Sequence, residues 1–226
     1  MKTLVTFGDS WPQGGELKED LGQYPYGRQL ADQYQYDFVN YGSAGVSIED
    51  MVLQLDDFCN QDKLRLLTSP PEDTLAIFFL TNPARSMHWP SGMSWIQDSD
   101  EELQRLAGNG ADFVKALKLH FHDNNKDNIR ASMAVITLQQ MCKTLNINDY
   151  YFAGWIRQTD WLPGVDTDKI YKGGNETAAD WLGATDHNGE HLLGVQDNEY
   201  IRPNFAHPNH NGHALIAKKL AEWMKL

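Results

Sequence analysis

Apolar residues fall along this chain in two alternating rhythms. Short apolar runs at residues 3–7, 37–40, 74–80 and 149–153 read as buried strands, and 74–80 is the strongest because it is apolar almost throughout. Between and after them lie stretches with apolar positions at helical spacing, at residues 24–36, 47–59, 111–122, 127–145 and 210–225. In 47–59, Ser47 is placed to cap, Asp50 stands three residues on, and Ile48, Met51, Val52, Leu55 and Phe58 form one face. The 127–145 segment carries Ile129, Met133, Ile136, Met141 and Leu145 as its apolar set, and 210–225 turns Leu215, Ile216, Leu220 and Trp223 inward. Two stretches lack a period and read as loop-rich insertions, about 83–110 and 154–203, the second with one short helix expected near 175–182.

Strands alternating with helices imply an α/β protein with a parallel sheet covered on both faces. A chain of 226 residues fits one such domain and buries a sizeable core without disulfides or metal. In parallel sheets, ligands bind beyond the carboxyl ends of the strands. Ser10, the segment 42–45 and Asn82 each fall just after an expected strand, so one sheet edge is the place to look for chemistry.

Charge and cysteine usage narrow the function classes. A net charge of −12 argues against nucleic-acid binding, which needs a basic footprint, and against anionic membrane surfaces. The two cysteines, Cys59 and Cys142, stand in no metal-ligand spacing and sit in helical segments, so they read as buried free thiols. No apolar stretch approaches the ~18–20 residues that span a bilayer. The N-terminal run at 3–7 is too short for a signal-peptide core, so the expected location is cytoplasmic, and no cofactor is called for.

The candidate chemistry begins at Gly8-Asp9-Ser10, where a strand ends on a sharp turn that can present a serine hydroxyl beside converging backbone N–H groups. Asp9 reads as a turn acid that bonds nearby N–H groups. Three more blocks follow: Asn40-Tyr41-Gly42-Ser43-Ala44-Gly45, then Leu80-Thr81-Asn82, then His207-Pro208-Asn209 running into Gly212-His213. A serine nucleophile needs a base, and His207 is the candidate. Pro208 suits the first turn of the last helix, which leaves His207 in the loop before it.

In order and spacing these four blocks resemble the SGNH hydrolases, also called GDSL-type esterases and lipases, over residues 8 to 213. The resemblance implies a flavodoxin-like three-layer α/β/α sandwich with a mostly parallel five-stranded sheet. It also implies a serine ester hydrolase working through an acyl-enzyme. Ser10 is then the nucleophile, His207 the base, and the N–H of Ser10, the N–H of Gly45 and the side-chain amide of Asn82 the oxyanion donors. The chain departs from the family at the residue three before the histidine, where the usual Asp is replaced by Asn204. Either Asn204 accepts from the imidazole, or another acid does so (Asp186, Asp197 and Glu199 precede it), or Ser10 and His207 act as a dyad. Asn82 also departs, being preceded by Thr81 and followed by Pro83.

The seven tryptophans and nine tyrosines supply amphipathic faces suited to sugars or acyl chains. Trp11, next to the nucleophile, is the first choice for substrate contact, with Arg85 for an anionic substrate group. The expected partner is a small-molecule or carbohydrate ester with a short, O-acetyl-like acyl group. Short members of the resembled family also occur in phages, an alternative source for a chain of this kind. Two further readings stand beside the esterase: a non-catalytic carbohydrate-binding member of the same fold, which Asn204 favours, and a metal-dependent hydrolase built on His187, His191, His207, His210 and His213 with Glu190 and Asp186.

Overall fold

The computed structural model describes residues 2–60, 70–83, 124–184, 199–201 and 207–226. Among these, β1 (Thr3–Phe7), β2 (Asp37–Asn40), β3 (Thr74–Leu80) and β4 (Asn148–Ala153) form an all-parallel sheet in the order β2-β1-β3-β4. β1 and β3 are buried along their whole length, as expected of strands covered on both faces. The chain leaves β1 first to one side and then to the other. The topological switch point therefore lies between β1 and β3, where α/β sheets open a crevice at their carboxyl ends.

The two faces of the sheet bury different side chains because successive residues alternate. One face carries Leu4, Ile77, Phe79 and Phe152, covered by α2 (Tyr26–Tyr34) and α6 (His210–Met224). The other carries Val5, Phe7, Phe78 and Tyr151, covered by α3 (Asp50–Asn60) and α4 (Asn124–Leu145). Register aligns Phe7 with Phe78 and Phe78 with Tyr151. Their rings stack across the three adjacent strands β1, β3 and β4 at 4.7 and 4.8 Å between centroids, a cross-strand ladder that fixes pairing as well as burying area. The three-layer α/β/α expectation holds.

Several details differ from the expectations. The described sheet has four strands, not five. The outer edge of β4 meets single parallel bridges, Tyr151 with Ile170 and Ala153 with Thr177. Between those bridges Lys172, Gly173 and Gly174 take left-handed φ values of 46, 63 and 89°, which break the extended run a fifth strand would need. In α4 the apolar set is displaced. Ile129 and Met133 are exposed, and the buried face is Ala131, Ala134, Val135, Leu138 and Cys142. Small residues let that helix lie close to the sheet, so side-chain size misled the assignment of its inner face. Pro208 precedes α6, whose cap is Asn209. The helix expected at 111–122 lies outside the described residues, and the one near 175–182 shortens to α5 (Ala178–Trp181) behind a Thr177–Asp180 capping box. No helix among the described residues is long and apolar enough to cross a membrane.

Candidate active site

The turn after β1 is built from both directions. Gly8 has φ 135°, and a Cβ there would stand 2.9 Å from the Cβ and the carbonyl oxygen of Phe79, so only glycine lets β1 pass the neighbouring strand at this height. Its backbone is held by one side chain of α3: the Gly8 N–H donates to Gln54 Oε1 at 3.0 Å, and Gln54 Nε2 donates to the Gly8 oxygen at 3.2 Å. Asp9 is fully buried and caps α1 (Ser10–Gln13), its Oδ1 accepting from the Trp11 N–H at 3.0 Å. Ser10 is thus the first residue of a short helix, with its side chain at the carboxyl end of the sheet.

The second block docks onto this turn. The ladder between β1 and β2 continues past the strands, with the Tyr41 N–H donating to the Thr6 oxygen at 2.8 Å and the Ser43 N–H to the Gly8 oxygen at 2.9 Å. Asn40 Nδ2 donates to the Pro12 oxygen at 2.8 Å. A Cβ on Gly42 would lie 2.3 Å from the Gln13 nitrogen, so the chain passes directly over α1 there. Gly45 follows with φ 80°, half-buried. On the other side, Asn82 sits half-buried past the end of β3. Arg130 of α4 ties down its neighbour, donating to the Pro83 oxygen at 3.2 Å while paired with Asp127 at 2.8 Å and Glu49 at 3.2 Å. Ser10, Gly45 and Asn82 therefore follow three adjacent strands at one sheet edge.

The fourth block arrives from the far end of the sequence. Asn209 caps α6 by accepting from the Gly212 N–H at 3.0 Å, and its Nδ2 donates to the Glu199 oxygen at 2.8 Å. Ile201 and Pro208 form an antiparallel bridge. Gly212 passes so close to the Tyr200 carbonyl oxygen, 2.2 Å from a built Cβ, that a larger residue would push the strap at 199–201 away. His207 is held just outside this knot, and its Nε2 lies 2.8 Å from Ser10 Oγ. The other ring nitrogen, Nδ1, is buried with no hydrogen-bond partner among the described residues. Facing it at 3.7 Å is Glu16 Oε1.

Some expected residues land elsewhere. Trp11 is 1% exposed, packed against Phe79 at 5.2 Å and edge-on to Trp155 at 4.2 Å. It supports the nucleophile turn from below and offers no face to a substrate, which corrects the expectation of substrate contact. Glu199 is exposed and lies beside the Tyr200 hydroxyl, whose pKa it raises, and among the described residues the carboxylate facing His207 Nδ1 is that of Glu16. Asn204, Arg85, Asp186, Asp197, His187, Glu190 and His191 lie outside the described residues. His213 is 1% exposed and structural: its Nδ1 accepts from the Tyr26 N–H at 3.2 Å, satisfying a donor at the start of α2 that Pro25 leaves uncapped. Among the described residues no group of three or more His, Cys, Asp or Glu is placed to hold a metal ion. Sequence reasoning missed Gln54 and Glu16. Gln54 has no local signal. Glu16 had one, a carboxylate directly after the Gly14-Gly15 turn that follows the nucleophile helix.

No protein-family model matches the chain, and no curated protein matches it. Solved structures do. The psychrotrophic esterase EstA from Pseudoalteromonas sp. is 13% identical, with 100% of this chain and 97% of that chain covered at a TM-score of 0.51. LAE5, an alpha/beta hydrolase enzyme from the metagenome of Lake Arreo, Spain, is 13% identical over 99% of this chain and 95% of that chain, at 0.50. A G-D-S-L family protein from Desulfitobacterium hafniense DCB-2, described as lipolytic, is 12% identical over 99% of both chains, at 0.48. At such identities the likeness is one of fold. In its α/β fold as well as in its four sequence blocks, the chain resembles the SGNH (GDSL-type) hydrolases.

Proposed function

We propose that this protein is a serine ester hydrolase of the SGNH type. The observation that carries the reading is the 2.8 Å approach of Ser10 Oγ to His207 Nε2 across 197 residues of sequence. A hydroxyl and an imidazole at hydrogen-bond distance, on a turn held by buried backbone bonds, form a nucleophile and its base. Ser10 attacks the ester carbonyl while His207 takes the hydroxyl proton. The N–H of Ser10, the N–H of Gly45 and the Asn82 amide receive the oxyanion. His207 returns the proton to the leaving alcohol, and an acyl-enzyme remains on Ser10. Water, deprotonated by the same imidazole, attacks that ester and frees the acid and the serine. Donors fixed before the reaction need no reorganisation when charge develops, and each is worth roughly 10²–10³ in turnover.

The acyl group we assign is short, an O-acetyl ester with a carbohydrate as one candidate alcohol. That assignment rests on the aromatic content of the loops and on the sequence containing no long amphipathic helix suited to lipid. The test is hydrolysis of p-nitrophenyl acetate, beside p-nitrophenyl esters of longer acids, by the wild type and by Ser10→Ala. Activity that needs Ser10 and falls with chain length supports the reading. Equal rates for the two proteins overturn it in favour of a non-catalytic binding protein.

A further inference from the structure

We infer that Glu16 is the acid that orients His207, taking the place of the aspartate that Asn204 replaces in sequence. This rests on the esterase reading. It departs from the resembled family, whose acid precedes the histidine by three residues. The geometry begins with an unsatisfied group. Among the described residues, His207 Nδ1 is buried with no hydrogen-bond partner, and Glu16 Oε1 is the carboxylate oxygen that faces it, at 3.7 Å. That distance is an ion-pair separation and not yet a hydrogen bond. The Glu16 side chain is 32% exposed, so it has room to swing in, and catalytic contacts commonly tighten when substrate is bound.

The backbone supplies a second, independent observation. Gly14 ends α1 in a left-handed conformation, and the Gly15 N–H donates to the Ser10 oxygen at 2.9 Å. The next turn is closed by the Leu17 N–H on the Gly14 oxygen at 3.0 Å, with Glu16 in its third position at φ 69°. Glycine or asparagine is favoured at that position and conformation, and a glutamate there is strained. Of the other non-glycine residues with positive φ, Gln35, Asn146 and Lys225 follow helices and Lys172 lies between the two bridges on β4. Glu16 ends no helix. What the strained turn achieves is to fold the chain back from the nucleophile helix so that a carboxylate meets His207. Strained non-glycine residues gather at functional sites when the surroundings over-determine them.

Glu16 touches neither the ester nor Ser10. It acts through His207, holding the imidazole with its proton on Nδ1 so that Nε2 is free to accept from Ser10, and stabilising the imidazolium that follows. Its effect belongs in kcat. In a serine protease, Asp→Asn at the equivalent role costs about 10⁴ in turnover. For a partly exposed glutamate at a longer distance the expected loss on Glu16→Gln is smaller, about 10–100-fold, with KM unchanged.

Three measurements test this. Steady-state kinetics on p-nitrophenyl acetate should show the loss in kcat for Glu16→Gln, and no further loss when Glu16→Gln is added to His207→Ala. Glu16→Gly should match Glu16→Gln in kcat while melting no lower than the wild type, because glycine relieves the strained turn. A merely structural glutamate would instead lower the melting temperature and add its effect to that of His207→Ala. The ¹⁵N shifts of His207 should report the Nδ1–H tautomer in the wild type and a mixed population in Glu16→Gln. Unchanged kcat in Glu16→Gln beside a Ser10-dependent wild type overturns this inference and leaves the esterase standing. A wild type without Ser10-dependent activity, whose His207 tautomer still shifts with Glu16→Gln, overturns the esterase and leaves the contact. Unchanged tautomers overturn the inference whatever the activity.

Discussion

Ser10 Oγ and His207 Nε2 stand 2.8 Å apart although 197 residues separate them in the chain. Neither partner reaches this position by local structure alone. Ser10 is fixed by the Gly8–Gln54 and Asp9–Trp11 hydrogen bonds, and His207 by the bridge of Ile201 with Pro208 and the cap at Asn209. A nucleophile and base that act as a unit give non-additive losses. We expect Ser10→Ala and His207→Ala each to lower kcat by roughly 10⁴-fold or more, and the double variant to fall no further. Fluorophosphonate labelling should occur on Ser10 in the wild type and be slowed strongly in His207→Ala. Additive losses in the double variant would show that the two side chains serve separate purposes.

Gln54 and Gly8 make the turn as much as the serine does. Gln54→Ala leaves the Gly8 N–H without its partner and removes one of the two bonds to the Gly8 carbonyl, which keeps the Ser43 N–H, and should cost about 1–3 kcal/mol. Because Ser10 lies two residues on, kcat should drop as well. Gly8→Ala is the harsher change. Its Cβ would meet Phe79 at 2.9 Å in a conformation of φ 135°, so the expected cost is about 3 kcal/mol or more. Urea melts of the two variants beside the wild type check the order. A Gly8→Ala protein as stable as the wild type would show that the turn is not pressed against β3.

The four strands and most helices were legible because each is apolar at one clear period: β3 is buried throughout, and α3 shows Met51, Leu55 and Phe58 at helical spacing. The serine block and the histidine block were legible because each sits on backbone signals of its own, glycine at the turn and proline–asparagine ahead of a helix. The inner face of α4 was not, because it is lined by Ala131 and Ala134 while larger Ile129 and Met133 face outward. Trp11 misled for a related reason, since adjacency in sequence to Ser10 says nothing about which side of the turn a ring occupies. Gln54 was invisible because its contact depends on how α3 packs, and no period or spacing encodes that; Glu16 had a local signal in the Gly14-Gly15 turn before it, but its approach to His207 depends on how that turn packs.

His213 separates a structural histidine from a metal-binding one. Its Nδ1 accepts from the Tyr26 N–H, and its ring stacks on Tyr26 at 6.0 Å. His213→Ala removes the acceptor and leaves space between α2 and α6, so it should lower stability by about 2 kcal/mol. The kcat of the protein that remains folded should stay near the wild-type value. Chelator should change neither stability nor rate. Loss of hydrolysis in chelator, restored by a divalent cation, would favour the metal-dependent reading over the serine one.

Tyr26 and Cys142 set how the fold responds to alkali. Burial pushes the Tyr26 hydroxyl well above its ordinary value, with Asp9 adding to the effect, and burial likewise raises the Cys142 thiol and the Tyr151 hydroxyl. Groups that keep their protons longer in the folded chain than in the unfolded one favour the fold below their unfolded values. That contribution is lost as pH rises towards the folded values. The decline should begin near pH ~8.5 with the unfolded thiol and steepen above ~10 as the unfolded tyrosines ionise, at about 1.4 kcal/mol per pH unit for each group. Tyr26 also carries a buried hydroxyl with no hydrogen-bond partner among the described residues. Tyr26→Phe should therefore be neutral or stabilising by about 1 kcal/mol at pH 7, and its stability should fall less between pH 8 and 11 than that of the wild type. Urea midpoints across that range decide the matter. A Tyr26→Phe protein that is less stable at pH 7 and declines as steeply as the wild type would mean that the hydroxyl is bonded and does not hold its proton against alkali.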